Sequence, residues 1–178
     1  QLFYNENHEW TELFIDNISD VHKKLENVDE IAINFIREPK FIFGDNDMYL
    51  NLLEKTSILV KDYHLPSHRK NLLKYRVKVL LSKYLDSQTV SSPTQENFLL
   101  NAISYPLIQL VLEHYQIFPS SPKYWLKQIE KDIPIEEFDI LDKFLAHQCD
   151  RKTILSICEK YVGDLDSIHI KKNTESNK

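Results

Sequence analysis

Glu12 is a carboxylate in the middle of the one clearly alternating segment of this chain, Glu9-Trp10-Thr11-Glu12-Leu13-Phe14-Ile15. Held on a strand, such a group can bind a divalent cation or take the proton of an attacking hydroxyl. On a solvated sheet face it would do neither. A second concentration of chemistry is cationic. Arg69, Lys70, Lys74, Arg76, Lys78 and Lys83 fall between Ser67 and Leu85, a span without an acid. Wound as a helix at ~100° per residue, Arg69, Arg76 and Lys83 form one stripe. Leu73, Val77, Leu80 and Tyr84 flank it on one side, Leu72 and Val79 on the other. A stripe between two apolar faces is expected to be partly buried and to seek an anion, an internal carboxylate or a ligand phosphate. A solvated basic face is the plainer alternative. Arg76, with Arg69 in the same stripe, is the residue expected to contact a ligand. A third cluster, Pro122-Lys123-Tyr124-Trp125-Leu126-Lys127, sets a cation and two aromatics at a helix start. In one reading Lys123 meets a phosphate while an aromatic, Tyr124 included, lies near a ring. In the other, Trp125 and Leu126 pack inward and Lys123 stays in water.

Other spacings carry less. Asp45-Asn46-Asp47 has the D-x-D spacing of a magnesium pair, but it precedes Met48, where aspartates cap a helix. His64 and His68 are four apart, as helical metal ligands would be, yet Pro66 lies between them and no nearby His or Cys completes a set. They read as surface or hinge histidines. No arginine is followed by a histidine at R-x(4–6)-H spacing, which argues against the helical RNases that use it. No Ser-His-Asp or Cys-His arrangement can be defended. Gly44 and Gly163 are the only glycines, too far apart to build a phosphate loop or a dinucleotide fingerprint. Cys149 and Cys158 lack a CxxC pattern and fit reduced core thiols of a cytoplasmic protein.

Helices must position nearly all of these groups. Leu2-Phe3-Tyr4, a polar turn at Asn5–His8 and the Glu12 strand together predict a β-hairpin. Two helices broken near Asn27 follow, with Asn17 or Ser19 as the first cap, and Pro39 ends them. Phe41-Ile42-Phe43 is a brief extended run. Further helices are expected over Met48–Tyr63 and Ser67–Leu85, from a Thr94 cap to Tyr115, over Lys123–Lys131, then after Pro134, and last after an Asp150 cap, stopping at Gly163. The Thr94–Tyr115 helix is apolar all round and therefore central, with Pro106 expected to kink it. The tail from Lys171 is polar and expected to be disordered.

Bulk composition agrees with a globular domain. The net charge of −5 argues against a broad nucleic-acid surface. No apolar run approaches the ~18 residues of a membrane span, and no signal peptide is visible. The chain begins at Gln1, and a hairpin this short cannot stand alone in water. Both suggest a piece of something larger, cut inside an α/β domain.

Several phrases, in order, resemble the C-terminal two-thirds of bacterial nucleotidyltransferases of the polymerase-β-like superfamily, of the antibiotic-adenylyltransferase-like kind. Thr11-Glu12-Leu13-Phe14-Ile15-Asp16 is similar to the strand that supplies their third metal-binding carboxylate. Phe41-Ile42-Phe43-Gly44-Asp45, Pro122-Lys123-Tyr124-Trp125-Leu126 and Cys149-Asp150-Arg151-Lys152-Thr153-Ile154-Leu155 resemble a strand–helix junction, a helix start and the terminal helix of that family. The resemblance spans Leu2 to Gly163. It implies a mainly α fold: a helical bundle preceded by a short β-hairpin left over from an α/β nucleotidyltransferase domain. Residues 1–43 would be the remnant, 44–170 the helical domain and 171–178 the tail. It also implies Mg²⁺-dependent transfer of a nucleotidyl group from a nucleoside triphosphate to an unknown acceptor, with Glu12 as metal ligand or base. Arg69, Arg76, Lys123 and Tyr124 would contact nucleotide or acceptor. The family's Gly-Ser turn and paired D-x-D carboxylates have no counterpart here, so the chain as it stands is expected to be inactive. The competing expectation is a non-catalytic helical interaction module, regulatory or antitoxin-like, and a homodimer is among the assemblies to test for.

Overall fold

The computed structural model describes the backbone of residues 2–4 and 10–12, and residues 17–37, 44–86, 90 and 92–165 in full. It divides into two compact units, residues 1–56 and 57–178. In the first, β1 (Leu2–Tyr4) pairs antiparallel with β2 (Trp10–Glu12), placing Leu2 opposite Glu12 and Tyr4 opposite Trp10. Each strand is three residues long and, among the described residues, pairs only with the other. The fold therefore gives no support to reading the pair as the relic of an α/β domain. α1 (Ile18–Glu26) starts where the Asn17 side chain accepts the Asp20 N–H at 2.9 Å, and α2 (Glu30–Arg37) follows a turn at Asn27 and Val28. Leu25, Val28 and Ile33 are buried there. α3 (Asn46–Lys61) is capped by Asp45, whose Oδ1 accepts the Met48 N–H at 3.0 Å. Asp45 thus serves as a helix cap, as its place before Met48 predicts. The division between the units falls inside α3 rather than at the expected 43/44 junction.

The second unit is a bundle built on α4 (Ser67–Leu85) and α5 (Pro93–His114). These run antiparallel: Lys70, near the start of α4, meets Glu113, near the end of α5. α4 buries Leu73, Val77, Leu81 and Tyr84. α5 buries residues in several directions, among them Leu100, Ile103, Leu107, Leu110 and Val111, as its apolar circumference predicts. Its cap is Ser92, which accepts the Gln95 N–H, and not the expected Thr94. Pro93 explains the shift, because its fixed φ and missing N–H suit the first helical position. Pro106 is carried inside α5, where it has no N–H to give the Ala102 carbonyl. A 3-10 turn (Pro122–Tyr124) leads into α6 (Trp125–Asp132), and α7 (Ile135–Leu145) and α8 (Arg151–Val162) complete the unit. α8 packs on α4 and α5, and α7 packs on α5 and α6. Asp150 caps α8 by accepting the Thr153 N–H at 2.7 Å, and Gly163 ends it with φ +85.

Three other helix ends close without glycine. Val28, Gln116 and His147 hold φ of 51, 56 and 58. Each is followed by a residue whose N–H reaches back to a carbonyl in the last turn: Asp29 to Lys24, Ile117 to Leu112, and Gln148 to Lys143. This is the left-handed helix stop normally made with glycine. Phe41–Phe43 and the tail from Lys171 lie outside the described residues.

Candidate functional site

Glu113 is the only acid between Phe98 and Tyr115, on a helix whose neighbours are mostly buried, and its side chain is 5% exposed. A carboxylate in that position needs a cation. Lys70 of α4 supplies it, Nζ lying 2.9 Å from Oε1. His64, from the segment before α4, places Nδ1 3.7 Å from the same oxygen, and Gln116 lies 3.2 Å from the other ring nitrogen.

A second polar cluster forms around Glu137 of α7. Its Oε2 accepts from the Tyr115 hydroxyl, from the Tyr161 hydroxyl at 3.0 Å and from the Lys160 ammonium. Burial alone would raise the Glu137 pKa. The hydrogen bonds from Lys160, Tyr115 and Tyr161 outweigh it and hold the carboxyl below its ordinary range. Burial, then the hydrogen bond to Glu137, pushes both phenols up. For Lys160 burial works downward, but the bond to Glu137 prevails and its pKa is raised. His114 stands edge-on to Tyr115 at 4.9 Å and to Tyr161 at 5.4 Å, tying the end of α5 to α8.

Two cavities share Lys160 and Tyr161 as lining. The larger, about 420 Å³, lies between α7 and α8, with Ile140, Leu141 and Ile157 as apolar wall. Lys152, Ser156 and Lys160 succeed one another along its α8 side at four-residue spacing, which sets them on one helix face. The smaller, about 190 Å³, is lined by Lys70, Lys74, Glu113 and His114. Around the two cavities, Lys70, Lys74, Lys152 and Lys160 face only Glu113 and Glu137 as carboxylates. Lys70 and Lys160 are engaged by those acids, and Lys74 makes no ion pair among the described residues. The arrangement carries a surplus of positive charge beside an apolar wall, which suits an anionic small molecule with an apolar part.

These carboxylates do not fit the Mg²⁺ site that the sequence resemblance implies. Among the described residues, no three His, Cys, Asp or Glu side chains gather as a metal site, and Glu113 and Glu137 already accept from ammonium groups. Glu12 is placed by its backbone, opposite Leu2, while its side chain lies outside the described residues.

The other residues singled out by sequence are not brought together. Arg69, Arg76, Lys123 and Tyr124 line neither cavity. Arg76 and Lys83 are exposed, and Arg69 is half-buried. The expected burial of their stripe between two apolar faces fails on one side, because Leu72 faces water at 47% exposure. Lys123 is also exposed, its Nζ 4.8 Å from the Tyr124 ring centroid. Trp125 packs inward, donating Nε1–H to the Ser120 carbonyl at 2.9 Å and tilting against Tyr105. Leu126, expected inward with it, is 43% exposed, because α6 turns only Trp125 and Ile129 into the core. His64 and His68 are exposed, His64 as a neighbour of Glu113.

Sequence reasoning missed Glu113, Glu137, Lys160 and Tyr161. Glu113 had a readable signal, a single acid on an all-round apolar helix. Glu137 had none, since it lies among Glu136, Asp139 and Asp142 and only tertiary packing distinguishes it. No protein-family model matches the chain, and no match was found among curated proteins or solved structures.

Proposed function

We propose that the helical unit 57–178 binds a small anionic ligand of the nucleotide class. By the resemblance of the sequence, it would be the nucleotide- or acceptor-side part of a Mg²⁺-dependent nucleotidyltransferase working in the cytoplasm. One observation carries the reading: the surplus of ammonium groups around the paired cavities. Phosphate oxygens would meet Lys74, Lys152 and Lys160, with the Ser156 and Thr153 hydroxyls beside them, and a base or other flat apolar group would lie against Ile140, Leu141 and Ile157. Tyr161, hydrogen-bonded to Glu137, lines both cavities. No metal step is assigned to these residues. In this reading a nucleoside triphosphate is one substrate.

Isothermal titration of the full chain with ATP, with and without Mg²⁺, tests the proposal. Binding is expected, weakened several-fold by Lys74→Ala and by Lys152→Ala. Absence of binding by ATP and by inorganic pyrophosphate alike would sink it. Binding unaffected by either substitution would move the site elsewhere. The chain by itself, without the Gly-Ser turn and the paired D-x-D carboxylates, is expected to transfer no label from α-labelled ATP.

A further inference from the structure

We infer that the outer face of α4 is a docking surface for an acidic amphipathic helix, independently of any ligand in the cavities. The inner face of α4 is fully used, with Leu73, Val77, Leu81 and Tyr84 buried where it packs on α5 and α8. The opposite face carries His68, Asn71 and Ser82, but an apolar row runs along one side of them. Leu72 is 47% and Tyr75 65% exposed, and half-buried Val79 continues the row. The positions 72, 75 and 79 alternate three and four apart, the spacing by which one helix lays a seam against another. At ~100° per residue these three share one ~120° arc with Arg76 and Lys83, which border the seam on one side. Arg76 and Lys83 are exposed and make no ion pair among the described residues.

Charge decides the occupant. α4 contains no acid from Ser67 to Leu85. A second copy laid on the same face would bring Arg76 and Lys83 toward their own counterparts with nothing to neutralise them. A nucleic acid would need cations along the middle of the face, and the middle is Leu72 and Val79, on a chain of net charge −5. The remaining fit is a helix whose apolar stripe covers Leu72, Tyr75 and Val79 while Asp or Glu beside that stripe meets Arg76 and Lys83. This surface gives Arg76 a ligand role, with a protein carboxylate in place of a phosphate.

Two fluorescein-labelled synthetic helices of about three heptads test it, alike in their leucine seam and differing in Glu or Lys at the flanking positions. Anisotropy with the full chain is expected to show binding of the acidic peptide at least tenfold tighter than the basic one, weakening as salt is added. Arg76→Glu with Lys83→Glu should reverse the preference. Leu72→Ala with Tyr75→Ala should weaken the acidic peptide at least fivefold, and circular dichroism should show each variant folded. Lys123→Glu, a charge change off this face, should leave the preference unaltered. Equal binding of the two peptides, or a preference untouched by the α4 substitutions, would overturn the inference. So would displacement of the acidic peptide by a labelled RNA duplex that binds more tightly, or a dimer in sedimentation that the Arg76 and Lys83 changes stabilise.

Discussion

The ammonium of Lys70 lies 2.9 Å from a carboxylate oxygen of Glu113 that is almost wholly withdrawn from water. The two partners are not equivalent. Lys70 is 40% exposed and can return to solvent, whereas Glu113, at 5%, cannot. Lys70→Met should therefore destabilise the chain by about 1–3 kcal/mol, the penalty for a buried acceptor deprived of its donor. Glu113→Gln should cost less, since it leaves no buried charge. Urea unfolding of the two variants gives the comparison, and a larger loss for Glu113→Gln would contradict the assignment of Glu113 as the buried partner.

The Glu137 cluster makes stability depend on pH from both sides. Glu137 has a lowered pKa, so its contribution is present above the ordinary carboxylate value and lost as pH falls through the lowered one. Lys160 has a raised pKa, so its contribution is present below the ordinary lysine value and lost as pH rises through the raised one. Both groups are partly exposed, so screening keeps each effect below about 1 kcal/mol. Thermal melts of wild type and Glu137→Gln across the pH range should show the widest gap between the two edges and a narrowing gap at each.

Helix ends offer a backbone experiment. Gln116 and His147 sit at φ 56 and 58, where a side chain costs energy that glycine avoids. Gln116→Gly and His147→Gly should each stabilise the chain by about 0.5–1 kcal/mol, less whatever is lost with the contacts to His64 and Asn101. Gly163→Ala should do the reverse: a methyl there meets no atom within 4 Å, so the φ of +85 acts alone, at about 1–3 kcal/mol. Differential calorimetry reads all three.

Thiol chemistry should separate the two cysteines. Cys158 is fully buried and burial pushes its pKa up to about 12. Cys149 is half-buried, its thiol raised by burial and by the charge of Asp150. At pH 8 the native chain should release at most one equivalent to a chromogenic disulfide, from Cys149, and the second only in denaturant. Mass mapping of the labelled residue checks the order.

The helical skeleton was largely readable because its signals are local. Ser67–Leu85, the Asp45 and Asp150 caps and the stop at Gly163 each rest on a few neighbouring residues. The ends at Val28, Gln116 and His147 were not marked, because none carries the glycine that announces such a stop. The sequence predicts partial burial of Arg76 because its stripe lies between Leu73, Val77, Leu80 and Tyr84 on one side and Leu72 and Val79 on the other. A helical wheel places Leu72 beyond the cationic stripe but does not say whether a neighbouring helix covers it, and none among the described residues does. The lysine-lined cavities were invisible for a stronger reason: Lys70 and Lys160 are far apart in sequence, and only the packing of α8 on α4 and α5 makes them neighbours.

Because Lys160 borders both cavities and already holds Glu137, its one ammonium has three claimants. An anion that recruits it from the α7 side withdraws it from the α4 side, and either move loosens Glu137. A ligand that spans both cavities must therefore draw Lys160 away from Glu137. Glu137→Gln should then tighten binding of the anion, and that gain should vanish if Lys160 is replaced by an uncharged residue.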